Sequence, residues 1–84
     1  MAETIKSVVL TADGVANAVP CYFWGAVADA TGAVTIYDNA SAASGTKLLV
    51  LGGPQAVMYS NPVKCANGIY VDLTANNVTV FYSD

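Results

Sequence analysis

Residues Asn67 to Asp84 read NGIYVDLTANNVTVFYSD. Ile69, Val71 and Leu73 alternate with Tyr70, Asp72 and Thr74. Val78, Val80 and Tyr82 then alternate with Thr79, Phe81 and Ser83. Strict apolar/polar alternation marks a strand with one buried face. Between the two runs, Asn76-Asn77 suits a two-residue hairpin loop, because Asn tolerates the positive φ of a primed turn. Pairing Ala75 with Val78 sets Leu73 opposite Val80 and Val71 opposite Tyr82, all on one face. The segment therefore predicts a β-hairpin with a core face of Val71, Leu73, Val78 and Val80. Its outer face, with Tyr70, Asp72 and Phe81, is too aromatic for a purely solvated surface.

Working back from this segment, the pattern predicts further short strands. Thr4 to Leu10 is a first strand, with Lys6 suited to blunting a sheet edge. Val15 to Val19 reads as loop with some extended structure. Cys21 to Ala28 is a second strand with apolar bulk on both faces: Cys21, Phe23, Gly25 and Val27 on one, Tyr22, Trp24, Ala26 and Ala28 on the other. Gly25 is a candidate bulge. Asp29-Ala30-Thr31-Gly32 fits a type I turn, so Ala33 to Asp38 is expected to complete a second hairpin. Asp38 to Thr46 is a loop of small polar residues. Lys47 to Leu51 and Gln55 to Ser60 are further strands, separated by Gly52-Gly53-Pro54, and Val63 to Ala66 is a crossover. About seven short strands built from hairpins, with no credible helix, predict one all-β domain over residues 1–84. It is a small antiparallel β-sandwich or barrel.

The chain has 84 residues, of which 55% are hydrophobic and only 11% charged. Globular domains average about 25% charged, and a chain this short buries only ~60–65% of its unfolded surface. Part of the apolar excess is therefore expected to lie exposed as contact surface. The alternative is that Ala in loops inflates the count. Three basic residues, six acidic residues and no histidine argue against nucleic acid and anionic membranes. Met1 to Thr4 has no basic n-region and no apolar run approaches a membrane span. The expectation is a chain made in a cytoplasm.

Catalytic chemistry has little to work with. Without histidine there is no Ser-His-Asp or Cys-His arrangement. Cys21 and Cys65 read as free thiols in the core rather than as a disulfide or a metal site. The acids Glu3, Asp13, Asp29, Asp38 and Asp84 sit at turns or near the termini; only Asp72 lies mid-strand. No calcium loop or phosphate loop is present. No enzyme, metal or cofactor is expected. Tyr22, Trp24, Tyr37, Tyr59, Tyr70 and Phe81 are assigned outward, where aromatics serve as protein contacts or sugar platforms. Of these, Tyr22, Trp24, Tyr70 and Phe81 are the candidate interface residues.

The chain also resembles a known group. Ala33-Val34-Thr35-Ile36-Tyr37-Asp38, Ser44-Gly45-Thr46-Lys47-Leu48-Leu49, Asn67 to Thr74 and Val78-Thr79-Val80-Phe81-Tyr82 together resemble small virion proteins of tailed bacteriophages. The likeness covers roughly the last fifty residues and leaves the first thirty unexplained. It implies a non-enzymatic β-sandwich structural protein of the virion, above all a capsid cement or decoration protein. Head fibres, tail proteins and head–tail adaptors belong to the same implication. Such a protein self-associates, as a trimer or larger, and binds a major capsid or other virion protein after assembly in the host cytoplasm. A small carbohydrate-binding module, stacking sugars on the outward aromatics, is the competing expectation.

Overall fold

A computed structural model describes residues 4–84; Met1 to Glu3, with the Glu3 carboxylate, lie outside the described residues. The described residues form eight strands: β1 (Lys6–Leu10), β2 (Gly14–Asn17), β3 (Cys21–Ala28), β4 (Ala33–Asp38), β5 (Thr46–Gly52), β6 (Gln55–Cys65), β7 (Ile69–Thr74) and β8 (Val78–Ser83). They make two four-stranded sheets. Sheet I has the order β1-β8-β3-β6 and sheet II the order β2-β7-β4-β5, with antiparallel pairing throughout. The result is the expected all-β sandwich, not a closed barrel.

The pairing has a simple logic. The first strand pairs with the last, β2 with β7, β3 with β6, and β4 with β5. That is one long two-stranded ribbon folded back at the β4–β5 turn. The ribbon is then rolled, so that β8 also lies beside β3 and β7 beside β4. This rolled ribbon is the jelly-roll arrangement.

Two expected hairpins are therefore corrected. β7 and β8 do not pair: β7 belongs to sheet II and β8 to sheet I. Their connection is an arch across the sandwich. A primed turn needs positive φ at its central residues, but the described non-glycine residue with positive φ is Ala75 (52°), not Asn76 or Asn77. β3 and β4 are likewise split between the sheets, with Asp29 to Gly32 as a second arch. Among the described residues, only β4 and β5 are consecutive in sequence and paired in space.

The two arches are locked together. Asn76 is buried, and its Oδ1 accepts from the N–H groups of Ala30 (2.9 Å) and Asn77 (2.7 Å). Its Nδ2 donates to the carbonyls of Ala30 (3.0 Å) and Gly32 (2.8 Å). The Gly32 N–H donates to Ala75 O, and the Asp29 N–H to Asn77 O. The chains come so close that a side chain at Gly32 would collide with the Thr74 carbonyl. Asp38 makes a similar lock elsewhere. Its carboxylate accepts from Ala66 (3.1 Å), Asn67 (2.9 Å) and Gly68 (3.4 Å) N–H groups, fixing the β6–β7 connection to the end of β4.

The segment after Asp13 is strand β2 on the edge of sheet II rather than loop, which adds the eighth strand to the seven expected. β6 continues through the expected crossover to Cys65. Pro62 is tolerated inside it because β6 is an edge strand. β1 is the other edge of sheet I, and its Lys6 pairs with Asp84 at 2.7 Å. The core lies between the sheets. Sheet I contributes Cys21, Phe23, Ala26, Ala28, Cys65, Val78 and Val80; sheet II contributes Val34, Ile36, Leu51, Ile69 and Val71. Both cysteines are free and buried, as expected.

Candidate interaction surfaces

Alternation puts every second residue of each sheet on the outside, and strand register assembles those residues into rows. On sheet I one row runs Val9, Thr79, Val27, Ala56 across β1, β8, β3 and β6. The next runs Ser7, Phe81, Gly25, Met58. Neither row contains a charge. Val9 is 65% exposed and Met58 53% exposed, high values for such side chains in a folded domain. A third row brings Ser83 beside Tyr22 and Tyr22 beside Lys64, so the first charge appears at the rim.

The middle of this face carries a bulge. The β3 register shifts between Phe23 and Gly25, so Trp24 stands unpaired against β8, and Tyr59 to Pro62 of β6 loop out opposite it. The bulge reverses the phase of the strand. Cys21 and Phe23 face inward before it; Ala26 and Ala28 face inward after it. The expected inward placement of Gly25 and Val27 is corrected accordingly, and Gly25 marks the bulge as expected. Gly25 has φ +145°, and any side chain there would strike the Val57 carbonyl and Met58. The Trp24 indole Nε1–H donates to Ser83 Oγ at 2.8 Å, and Ser83 is fully buried although it points outward.

Sheet II presents a different face. Val15, Tyr70, Tyr37 and Lys47 form one row across β2, β7, β4 and β5. Asp72, Thr35 and Val50 form the next. Tyr70 and Tyr37 are directly opposite one another, which puts their Cβ atoms about 4.5–5.5 Å apart.

Of the four candidate interface residues, Tyr22, Trp24 and Phe81 thus share the outer face of sheet I, and Tyr70 lies on the opposite side of the molecule, on sheet II. All four are half-buried rather than fully exposed. Asp72 neighbours Thr35 and not Phe81. Tyr59 is not outward: it packs edge-on against Phe23, ring centroids 5.9 Å apart, as part of the core. Val9, Val27 and Met58 complete the apolar face. Reading Tyr22, Trp24 and Tyr59 as outward sets Val27 and Met58 on the inner side; the structure reverses both, and their place on one face with Val9 depends on strand order.

The hydrogen bond and charge of Asp84 raise the Lys6 pKa. Burial, reinforced by Cys21 and the Asp38 carboxylate, pushes the Cys65 thiol up to about 12. Among the described residues no group of three or more His, Cys, Asp or Glu side chains is placed to hold a metal ion. No described helix is long and apolar enough to cross a membrane. No family model, no curated protein and no solved structure matches the chain.

Proposed function

We propose that this chain is a non-enzymatic structural protein of a tailed-bacteriophage virion, a capsid cement or decoration protein that binds its own copies and the capsid lattice. The observation that carries the reading is the outer face of sheet I. Val9, Val27, Ala56, Phe81 and Met58 form a continuous uncharged surface there, with Tyr22 and Trp24 beside it. Contiguous exposed apolar surface on a small domain marks a contact site, and aromatic residues and Met are enriched in such contacts. The jelly-roll order supports the reading only weakly, since capsid proteins and lectins both use it and fold does not fix function. The same reasoning applies to a tail or head–tail position, and the copy number that co-purifies with a particle separates these.

Size-exclusion chromatography with light scattering tests the reading. Wild type is expected to run as a trimer or larger and to sediment with capsids. Phe81→Ser is expected to remain folded and to lose both properties. A wild-type monomer that ignores capsids overturns the proposal. The second reading, a carbohydrate-binding module, draws on the paired Tyr37 and Tyr70 of sheet II. Retardation of the wild type on a glycan column, abolished by Tyr70→Ala, would favour it instead.

A further inference from the structure

We propose that Cys21 and Cys65 form a closable dithiol, a pair of thiols that oxidation joins into a staple between β3 and the edge strand β6. The staple stands apart from the function proposed above. The two residues are direct partners in the β3–β6 register, and both point into the core. Direct partners on antiparallel strands have Cβ atoms about 4.5–5.5 Å apart. A disulfide asks for about 3.5–4.5 Å, so closure needs a shift of roughly an ångström.

The place where the pair sits gives the staple a purpose. β6 is held to β3 in two blocks, Gln55–Met58 and Val63–Cys65, separated by the loop-out opposite Trp24. The second block is short, lies on a sheet edge, and ends at Cys65. Only Cys21, Tyr22 and Phe23 pair with it. A bond at its end would secure the shorter block of the ladder and close a long loop of chain, which restricts the unfolded state most.

The chemistry requires an oxidant, and a small-molecule disulfide RSSR suffices. Cys21 reacts first, because it is 4% exposed where Cys65 is fully enclosed. Its sulfur attacks one sulfur of RSSR, giving Cys21–S–S–R and releasing RS⁻, which takes the Cys21 proton. The Cys65 sulfur then attacks the Cys21 sulfur, the S–S bond to R breaks, and the second RS⁻ leaves with the Cys65 proton. Two protein thiols are oxidised and one RSSR is reduced to two RSH. Burial keeps Cys65 protonated in the folded state, and the thiolate is the attacking species. Closure therefore proceeds through the open form of the Val63–Cys65 block, at a rate set by how populated that form is.

The test uses native wild-type protein incubated with hydroxyethyl disulfide, followed by intact mass, non-reducing peptide mapping and thermal melting. The expected product is a protein lighter by two hydrogens, with Cys21 linked to Cys65 in one chain. Its Tm is expected to rise by about 10 °C, and dithiothreitol should reverse the gain. Cys65→Ser, treated the same way, should form no closed product and gain no Tm. Thiols that stay reduced, a lasting adduct on Cys21, a disulfide between chains, or a closed form that melts at or below the reduced protein would each overturn the proposal.

Discussion

The two outer faces of the sandwich arise from the same alternation and differ in chemistry. Sheet I shows Val9, Val27, Ala56, Phe81 and Met58, with Lys64 at the rim; sheet II shows Val15, Tyr37, Tyr70, Thr35 and Val50, with Asp72 and Lys47 among them. The contrast follows from where the few acids go. Asp13 accepts from the Leu73 N–H, Asp29 from the Asn77 side chain, Asp38 from the β6–β7 connection, and Asp84 pairs with Lys6. Those carboxylates serve the fold. Asp72 is left as the acid within an outer-face row, and it lies on sheet II. With so few charges and most of them occupied, one face is left without any in its central rows. Exposed apolar side chains lie on both faces, Val9 and Met58 on sheet I and Val15 and Val50 on sheet II, but only on sheet I do they stand in rows without charge.

The sharpest way to probe that face is to change two neighbours on β8. Val80 is fully buried between the sheets, and Phe81 points outward from the next position. Val80→Ser leaves a cavity and buries a hydroxyl, at a cost of about 3 kcal/mol or more. A domain of this size holds only about 4–12 kcal/mol, so the variant should be largely unfolded or melt far lower by circular dichroism. Phe81→Ser should cost about 1 kcal/mol and keep the fold. If Phe81→Ser unfolds the chain as fully as Val80→Ser does, the sheet I face is core by another name.

Next in size is the lock that joins the sheets at one end. Asn76→Ala removes the side chain that satisfies Ala30, Gly32 and Asn77. Two carbonyls and two N–H groups lose a partner in a part-buried site, which should cost about 2–3 kcal/mol in chemical denaturation. Asn77→Ala, which loses the exposed bond to Asp29, should cost clearly less. Equal costs would mean that the arch depends on the backbone and not on the Asn76 side chain.

Asn76 also shows why the fold was only partly legible. Alternation located nearly every strand and the inner face of the Asn67 to Asp84 segment. It could not say which strands are neighbours. In a hairpin the apolar side chains of two strands stand side by side; in an arch they face one another across the core. The sequence pattern is the same in both. Asn76-Asn77 looks like a primed turn locally, whereas the actual partner of Asn76 is a connection more than forty residues away. The candidate surface was legible to the same depth. Tyr22, Trp24 and Phe81 share a face, but Tyr70 is separated from them by strand order alone. The bulge at Trp24 is the other hidden element, since one unpaired residue exchanges inside for outside beyond it. Gly25 was its only local sign.

A smaller effect concerns the inner corner of sheet I and the pH axis. The ordinary value for the Cys65 thiol is 9.0, and burial in the folded chain pushes it up to about 12. Between those values the unfolded chain has released a proton that the folded chain still holds, so stability falls as pH rises. The contribution is complete below pH 9 and decreases by about 1.4 kcal/mol per pH unit at most within the window. Urea midpoints from pH 8 to pH 11 should therefore drop more steeply for wild type than for Cys65→Ala. Parallel profiles would show that the buried thiol does not govern alkaline unfolding.

The smallest expected effect is on the other outer face. Tyr70 pairs with Val15 and Tyr37 on sheet II and is half-buried, with Lys47 in the same row. Tyr70→Ser removes an aromatic from the surface, as Phe81→Ser does, but from a face that already carries charge. Its cost to stability should stay at or below about 1 kcal/mol, the scale of cross-strand pair energies. If assembly uses sheet I, the oligomer and its capsid affinity should be unchanged, while Phe81→Ser abolishes both. The two variants make a matched pair, since each converts a half-buried aromatic on a central strand to Ser. Any difference in assembly between them then reflects the face and not the residue type. Equal loss in both would require contacts on both sides of the sandwich, as in a subunit clamped between neighbours. Loss in Tyr70→Ser alone would move the contact surface to sheet II and remove the case for the uncharged face.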